Sequence, residues 1–193
     1  MSKLPKKDTK WTILEIDKLN IDFIKKEVSM FSTEWDLDTS RQDNNITHRN
    51  TKMYQLKYSS YDWLPGDKVE IKDVNSFKTK EAQEQFLDII KSLESQYSGI
   101  VVRAEVIKMM PNVNIRKHVD GGEFLKYARR CHIPINTNED VYFTVFNNRV
   151  NMKEGIVYEI NNSLPHSVEN NSNKERDHLI LDILPIEMFK QNS

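Results

Sequence analysis

The histidines that could do chemistry sit in His118-Val119-Asp120 and in Ser163-Leu164-Pro165-His166-Ser167. An imidazole and a carboxylate two residues apart point to the same side of an extended strand. A third donor from His166, at the start of a later strand, would complete a set of two histidines and one carboxylate. That set is the facial triad of non-haem Fe(II) oxygenases, which holds the ion on one side and leaves adjacent positions for a bidentate co-substrate and dioxygen. Alone, His-x-Asp is weak, because chance supplies roughly 0.4 such triplets in a chain of this composition. Weight comes from what surrounds it. Arg176 follows His166 by ten residues and opens Arg176-Asp177-His178-Leu179-Ile180-Leu181-Asp182. A guanidinium turned inward there can clamp a carboxylate bidentately. In Arg130-Cys131-His132-Ile133-Pro134-Ile135, Arg130 and His132 share one face of a strand and Cys131 takes the other. His178 shares the face of Arg176, where packing explains it as well as a substrate contact does.

These groups need a frame. From residue 99 onward, runs rich in Val, Ile, Tyr and Phe recur at 100–110, 115–120, 129–136, 141–146, 156–160, 166–169 and 176–184. Turn chemistry separates them, as in Pro111-Asn112, Gly121-Gly122, Asn147-Asn148 and Glu154-Gly155. Short strands between regular turns predict a β-sandwich or barrel. Ahead of them, the spacing predicts a strand over 11–17, a helix over 21–31 and a strand over 51–58. The strongest helical pattern is 80–97, where Ala82, Phe86, Ile89, Ile90, Leu93 and Tyr97 form one apolar stripe, Glu81 suits the positive end and Thr79 is the expected cap. The stretch 32–50 is polar. In and beside it, Trp35, Arg41, Gln42, His48 and Thr51 read as an ordinary exposed loop or as a substrate entrance. Met109 and Met110 are expected in the core, 63–67 as a turn and the lysine-rich 1–10 as a solvated tail.

The chain's 193 residues, 30% of them charged, suit one domain with one substantial core. A balance of 28 Lys+Arg against 29 Asp+Glu argues against a dedicated nucleic-acid binder. The single cysteine, Cys131, excludes a disulfide scaffold. The polar, basic start lacks the apolar run of a signal peptide. The longest apolar stretches, 99–102 and 179–186, are far too short to span a membrane. A cytoplasmic protein with neither nucleic acid nor membrane as partner is expected.

From about residue 101 to 185, the chain resembles the aspartyl/asparaginyl β-hydroxylase family of Fe(II)/2-oxoglutarate dioxygenases, and within it the hydroxylases of free proline. The resemblance rests on His118-Val119-Asp120, the Arg130–Ile135 motif, Gly155 before a strand containing Tyr158, Leu164-Pro165-His166 and the Arg176–Asp182 motif. It is faint before residue 99. It implies an α+β, β-rich fold: a double-stranded β-helix, or jelly roll, with flanking helices from the N-terminal half. It implies that His118, Asp120 and His166 bind Fe(II) and carry catalysis. It also implies that Arg176 holds the distal carboxylate of 2-oxoglutarate, with Arg130 and His132 near the keto-acid end. Dioxygen is then the other co-substrate, and succinate and CO2 the by-products. Related halogenases give up the carboxylate ligand, so the retained Asp120 implies hydroxylation. Ile156 and Asn161 stand where the family carries acidic residues, which loosens close substrate analogy and leaves the reaction type alone.

One domain over 1–193 is expected, with 1–98 supplying support and substrate-side elements and 99–187 the metal-bearing core. Trp35, Arg41, His48 and His178 are the candidate substrate contacts. The expected partner is a small amino acid such as proline, or an Asp, Asn or Pro in a peptide or protein; the short chain favours the small molecule. Two other readings use the same residues. A cupin-like isomerase or hydrolase would use the triad with another metal and need neither Arg176 nor 2-oxoglutarate. A non-catalytic jelly-roll binding module would retain only the metal site.

Overall fold

The strand Arg176–Pro185, β11 of the structure, is buried along both faces and lies in the middle of the larger sheet. Leu179, Leu181 and Ile183 face one side and pack under helices, while Arg176, His178, Ile180 and Asp182 face the other. The computed structural model describes residues 10–44, 46–60 and 69–189. The 63–67 turn and the tail up to residue 9 lie outside the described residues.

The first elements are β1 (Ile13–Lys18), α1 (Asp22–Val28), α2 (Ser40–Asn44), β2 (Thr51–Tyr58), β3 (Lys72–Asp73) and α3 (Lys80–Tyr97). The strands β4 (Gly99–Met109), β5 (Val113–His118), β6 (Arg129–Asn136), β7 (Val141–Val145), β8 (Asn148–Val150), β9 (Ile156–Ile160) and β10 (His166–Asn170) precede β11. One sheet runs β1-β9-β6-β11-β4-β2-β3 and the other β5-β10-β7-β8, with every pairing antiparallel. Ile115, Phe143, Val145 and Val168 of the smaller sheet pack with Met109, Tyr158 and Ile160 of the larger one. On the outer face of the larger sheet, Ile24 and Val28 of α1 and Phe86, Ile89 and Leu93 of α3 cover Val106, Cys131, Ile133 and Leu181. The result is the expected β-rich jelly roll with helices on one face, and β1, β2 and β3 from the front half complete its larger sheet.

Three local expectations are corrected. Thr79 precedes α3, but its side chain makes no cap bond to the helix. Its hydroxyl instead donates to Oε2 of Glu27 at 2.5 Å, and the same buried carboxylate accepts the amides of Lys78 and Thr79 at 2.5 and 2.9 Å. A charged acceptor from α1 outcompetes the local hydroxyl turn at the approach to α3. The polar stretch 32–50 is not one loop, since it folds into short helical turns at Thr33–Asp36, α2 and Ile46–His48. Met109 is fully buried, but Met110 lies past the end of β4 and is half-buried. The Asn147-Asn148 break is present as expected, as a tight hairpin turn from β7 into β8 with Phe146 at φ 56°.

Gly155 opens β9 at φ 72°, and a Cβ there would stand 2.7 Å from the Leu19 carbonyl oxygen. That close approach lets the Leu19 amide donate to the Gly155 carbonyl at 2.8 Å, pinning the chain after β1 against the sheet.

Candidate metal centre and its pocket

His118 ends β5 and His166 begins β10, and the two are direct partners across the strand pair. Cross-strand neighbours stand side by side, so the two rings lie 4.4 Å apart. Asp120 is not on the strand, as the two-residue spacing had implied. It lies just past the end of β5, and the chain's turn there brings its Oδ1 to 3.7 Å from Nε2 of His118 and 3.5 Å from Nε2 of His166. One donor atom from each of the three residues falls within 4.8 Å of the others.

The protonation of the rings follows from their outer contacts. Nδ1 of His118 lies 2.8 Å from the Arg116 carbonyl oxygen, and Nδ1 of His166 lies 3.0 Å from that of Leu164. A carbonyl only accepts, so each Nδ1 carries a hydrogen, and Nε2, the nitrogen facing Asp120, is the one left to bind a metal. Burial holds the His118 pKa below the usual imidazole range, which keeps the lone pair free. Burial alone would raise Asp120, but Arg130 and the facing imidazoles outweigh it and hold the carboxyl well below its ordinary range. Two imidazole nitrogens and a carboxylate oxygen are the donor set that suits Fe(II).

Arg130, expected beside the keto-acid end of the co-substrate, donates hydrogen bonds to two carboxylates. Nη1 donates to Oδ2 of Asp120 at 2.6 Å, while Nε and Nη2 donate to Oδ1 and Oδ2 of Asp182 at 2.7 and 2.8 Å. Asp182 is 2% exposed and stands opposite Arg130 in the β6–β11 register.

Arg176 begins β11 and is 2% exposed. It donates through Nη2 to Nδ1 of His178, so that imidazole is neutral with its hydrogen on Nε2. Nε of Arg176, Nε2 of His178 and both ring nitrogens of His132 are buried without a hydrogen-bond partner among the described residues. His132 and His178 face one another with ring centroids 5.8 Å apart, and Phe143 stands 5.1 Å from His132 and 6.1 Å from His166. Burial, reinforced by the Arg176 charge, keeps both His132 and His178 neutral. A single buried cation ringed by unpartnered imidazole nitrogens matches an anion that also accepts hydrogen bonds. The distal carboxylate of 2-oxoglutarate is such a group.

Beside Asp120 a cleft of about 450 Å³ opens, lined by Arg41, His48, Gln55, Tyr58, Arg103 and Arg130 among others. Arg41 donates to the Thr51 hydroxyl at 3.3 Å and lies 3.4 Å from Nδ1 of His48 and 3.6 Å from Glu105. The His48 ring meets His118 edge-on at 5.5 Å, and burial followed by the charge of Arg41 lowers its pKa to about 3. Trp35 is elsewhere. It is 3% exposed, packed against Phe31 in the helix-side core with Lys108 over its ring, and it does not line the cleft. An aromatic in a polar stretch reads as exposed, whereas the short turn Thr33–Asp36 folds this one inward. A second hollow of about 400 Å³, between α1 and α3, is lined by none of the expected site residues.

Sequence reasoning missed Asp182, Arg103 and Glu105 as parts of the site. Their signal was available: each is a charge inside an apolar strand run, at even spacing from inward-facing neighbours. Arg103 and Glu105 are 5% and 4% exposed and joined at 2.6 Å.

An antiparallel jelly roll carrying a His-Asp-His set, with a buried arginine beyond it, has the fold and the donor set of a metal-dependent oxygenase. Comparison with protein families agrees: the aspartyl/asparaginyl beta-hydroxylase model matches residues 19–185, and the chain belongs to that family. A search of curated proteins found no match. Among solved structures, a Pseudomonas putida prolyl-4-hydroxylase is similar at TM-score 0.57 and 13% identity, over 90% of this chain and 92% of that one. The viral collagen prolyl hydroxylase of Paramecium Bursaria Chlorella virus-1, solved with 2-oxoglutarate, is similar at TM-score 0.53 and 10% identity, over 90% and 96%. A 2-oxoglutarate-Fe(II) oxygenase family oxidoreductase from Burkholderia pseudomallei matches at TM-score 0.53 and 13% identity, over 70% of this chain and 66%, just under two thirds, of that chain. At such identities the likeness is one of fold. No described helix is long and apolar enough to cross a membrane.

Proposed function

We propose that the protein hydroxylates an unactivated C–H of an amino acid, with His118, Asp120 and His166 as the Fe(II) ligands and Arg176 as the anchor of 2-oxoglutarate. The observation that carries this reading is the pairing of two features. Three donor atoms converge within 4.8 Å, and a buried guanidinium with unpartnered imidazoles around it lies behind them. A module that only held a metal would have no use for the buried cation.

When bound, Fe(II) and 2-oxoglutarate would let dioxygen act as the oxidant, one oxygen atom going to the co-substrate, which leaves as succinate and CO2, and the other to the hydroxyl group of the product. The chain's own residues bind and orient. The carbonyls of Arg116 and Leu164 fix the tautomers of His118 and His166. Arg130 fixes one oxygen of Asp120 and leaves the other facing the imidazoles. Arg176 supplies a positive charge, and His178 a hydrogen-bond donor at Nε2, for the distal carboxylate; both His132 and His178 stay neutral at physiological pH. Phe143, 3% exposed, walls the space between His132 and His166 and keeps water from it.

The substrate enters by the cleft beside Asp120, where Arg41, His48 and Tyr58 line the wall. Its volume of about 450 Å³ is at the small end of ligand sites and favours a free amino acid, proline first, over a residue within a folded protein. The test is an anaerobic titration of the apo-protein with Fe(II) and then 2-oxoglutarate, followed by the visible metal-to-ligand charge-transfer band. A band in the wild type that Arg176→Ala weakens is the expected result. Folded, iron-loaded protein without a band overturns the assignment. With the band in hand, succinate release against free proline and against proline-containing peptides decides the substrate class.

A further inference from the structure

Two acids and one base are joined at the edge of the metal centre, and their order matters. Asp182 sits on β11, Arg130 directly across from it on β6, and Asp120 beyond the guanidinium in the turn after β5. Asp182 takes two of the five guanidinium N–H groups in a bidentate fork at 2.7 and 2.8 Å, which fixes the plane of Arg130. With that plane fixed, Nη1 is aimed at Oδ2 of Asp120 at 2.6 Å, and Oδ1 is the oxygen left toward His118 and His166. Charge follows the same chain. An arginine facing Asp120 alone would neutralise the carboxylate that a cation needs. With Asp182, 2% exposed, already balancing Arg130, the Asp120 carboxylate keeps its charge for the ion. Arg103 also stands opposite Asp182, from β4, and donates to Glu105 at 2.6 Å and to the Ser59 carbonyl at 3.1 Å.

We infer that Asp182 is a positioning residue of the metal centre: acting through Arg130, it presents Asp120 as a one-oxygen, fully charged ligand and so sets the affinity of the site for a divalent cation. The inference rests on His118, Asp120 and His166 being the metal ligands.

The test is a double-mutant cycle read by binding of Co(II) alone to the full chain, with the cobalt absorption spectrum as a second signal and no turnover required. Asp182→Asn, close in shape, should weaken Co(II) binding about 10- to 100-fold and shift the spectrum. In an Asp120→Ala background, where a two-histidine site is left, Asp182→Asn should leave the remaining affinity unchanged, because the residue through which it acts is gone. Glu159→Gln controls for mere destabilisation. It breaks another buried acid–arginine pair, with Arg129 at 3.2 Å, next to Tyr97, and should lower the melting temperature without moving Co(II) affinity. Should Asp182→Asn not fold, Arg130→Lys, which keeps the charge but loses the fork, takes its place in the cycle with the same expected pattern. Unchanged affinity in the wild-type background, or equal losses in both backgrounds, overturns the role of Asp182. A wild type that binds no Co(II) at all overturns instead the ligand assignment beneath it.

Discussion

Replacing Arg176 by methionine should stabilise the apo-protein while removing its response to 2-oxoglutarate, and the size of the effect follows from burial. The guanidinium is 2% exposed, and burial lowers its pKa from 12.5 to about 9. At about 1.4 kcal/mol per pH unit, carrying that charge costs the folded state at most about 5 kcal/mol at pH 7. Methionine removes the cost, forfeits the hydrogen bond to His178, worth about 1 kcal/mol, and leaves some unfilled volume, worth about 1–2 kcal/mol. The net expectation is a gain of about 2 kcal/mol in urea unfolding at pH 7. The sign with pH is fixed too. A cation whose pKa is lowered in the folded state is penalised while charged, and the penalty is relieved as pH rises through 9. The advantage of the variant should therefore be largest at pH 8 and below and should shrink by pH 10. In Co(II)-loaded protein, adding 2-oxoglutarate at a hundred times its wild-type dissociation constant should stabilise the wild type by a further ~2.7 kcal/mol, and the variant by much less. An apo Arg176→Met protein less stable than wild type at pH 7 would refute the reasoning, because the charge would then already be satisfied within the protein.

Three further outcomes are expected. His166→Ala removes a buried donor and should lower Co(II) affinity by at least ~100-fold, and near-normal binding would remove His166 from the ligand set. Asp177, 5% exposed with Oδ1 unpartnered, has its pKa raised by burial to about 6, so the wild type is penalised above that pH and relieved as pH falls toward 4. Asp177→Asn should therefore be more stable than wild type by up to about 3 kcal/mol at pH 8, with the gap closing by pH 4, and equal stability at pH 8 counts against the burial argument. Glu27→Ala leaves two amides and a hydroxyl before α3 without their acceptor and should cost about 2–4 kcal/mol in thermal or urea unfolding while Co(II) affinity holds; a loss below 1 kcal/mol would mean that water or Thr79 replaces it.

Local physics made much of the molecule legible in advance. The stripe from Ala82 to Tyr97 specified α3 at its observed bounds, and the strand-forming runs at 51–58, 129–136 and 156–160, the last two bounded by turn residues, specified β2, β6 and β9, because helical period and strand-forming composition are written in neighbouring residues. The donor types His118, Asp120 and His166, and the inward parity of Arg176 with His178, were visible for the same reason.

What needed the tertiary structure were the relations that chain distance hides. The cross-strand register that stands His118 beside His166 is one, since it depends on which strands of the smaller sheet meet. The turn that carries Asp120 off its strand and back to the two imidazoles is another. The burial of Trp35 was settled by packing of a three-residue-per-turn helix that its polar neighbours concealed. Arg130 and Asp182 lie 52 positions apart, and only the pairing of β6 with β11 reveals that one charge serves the other. Side-chain periodicity is a property of adjacent residues and can be read along a chain. Charge partnership and metal geometry are properties of strands brought together, decided by how two sheets bury their shared core.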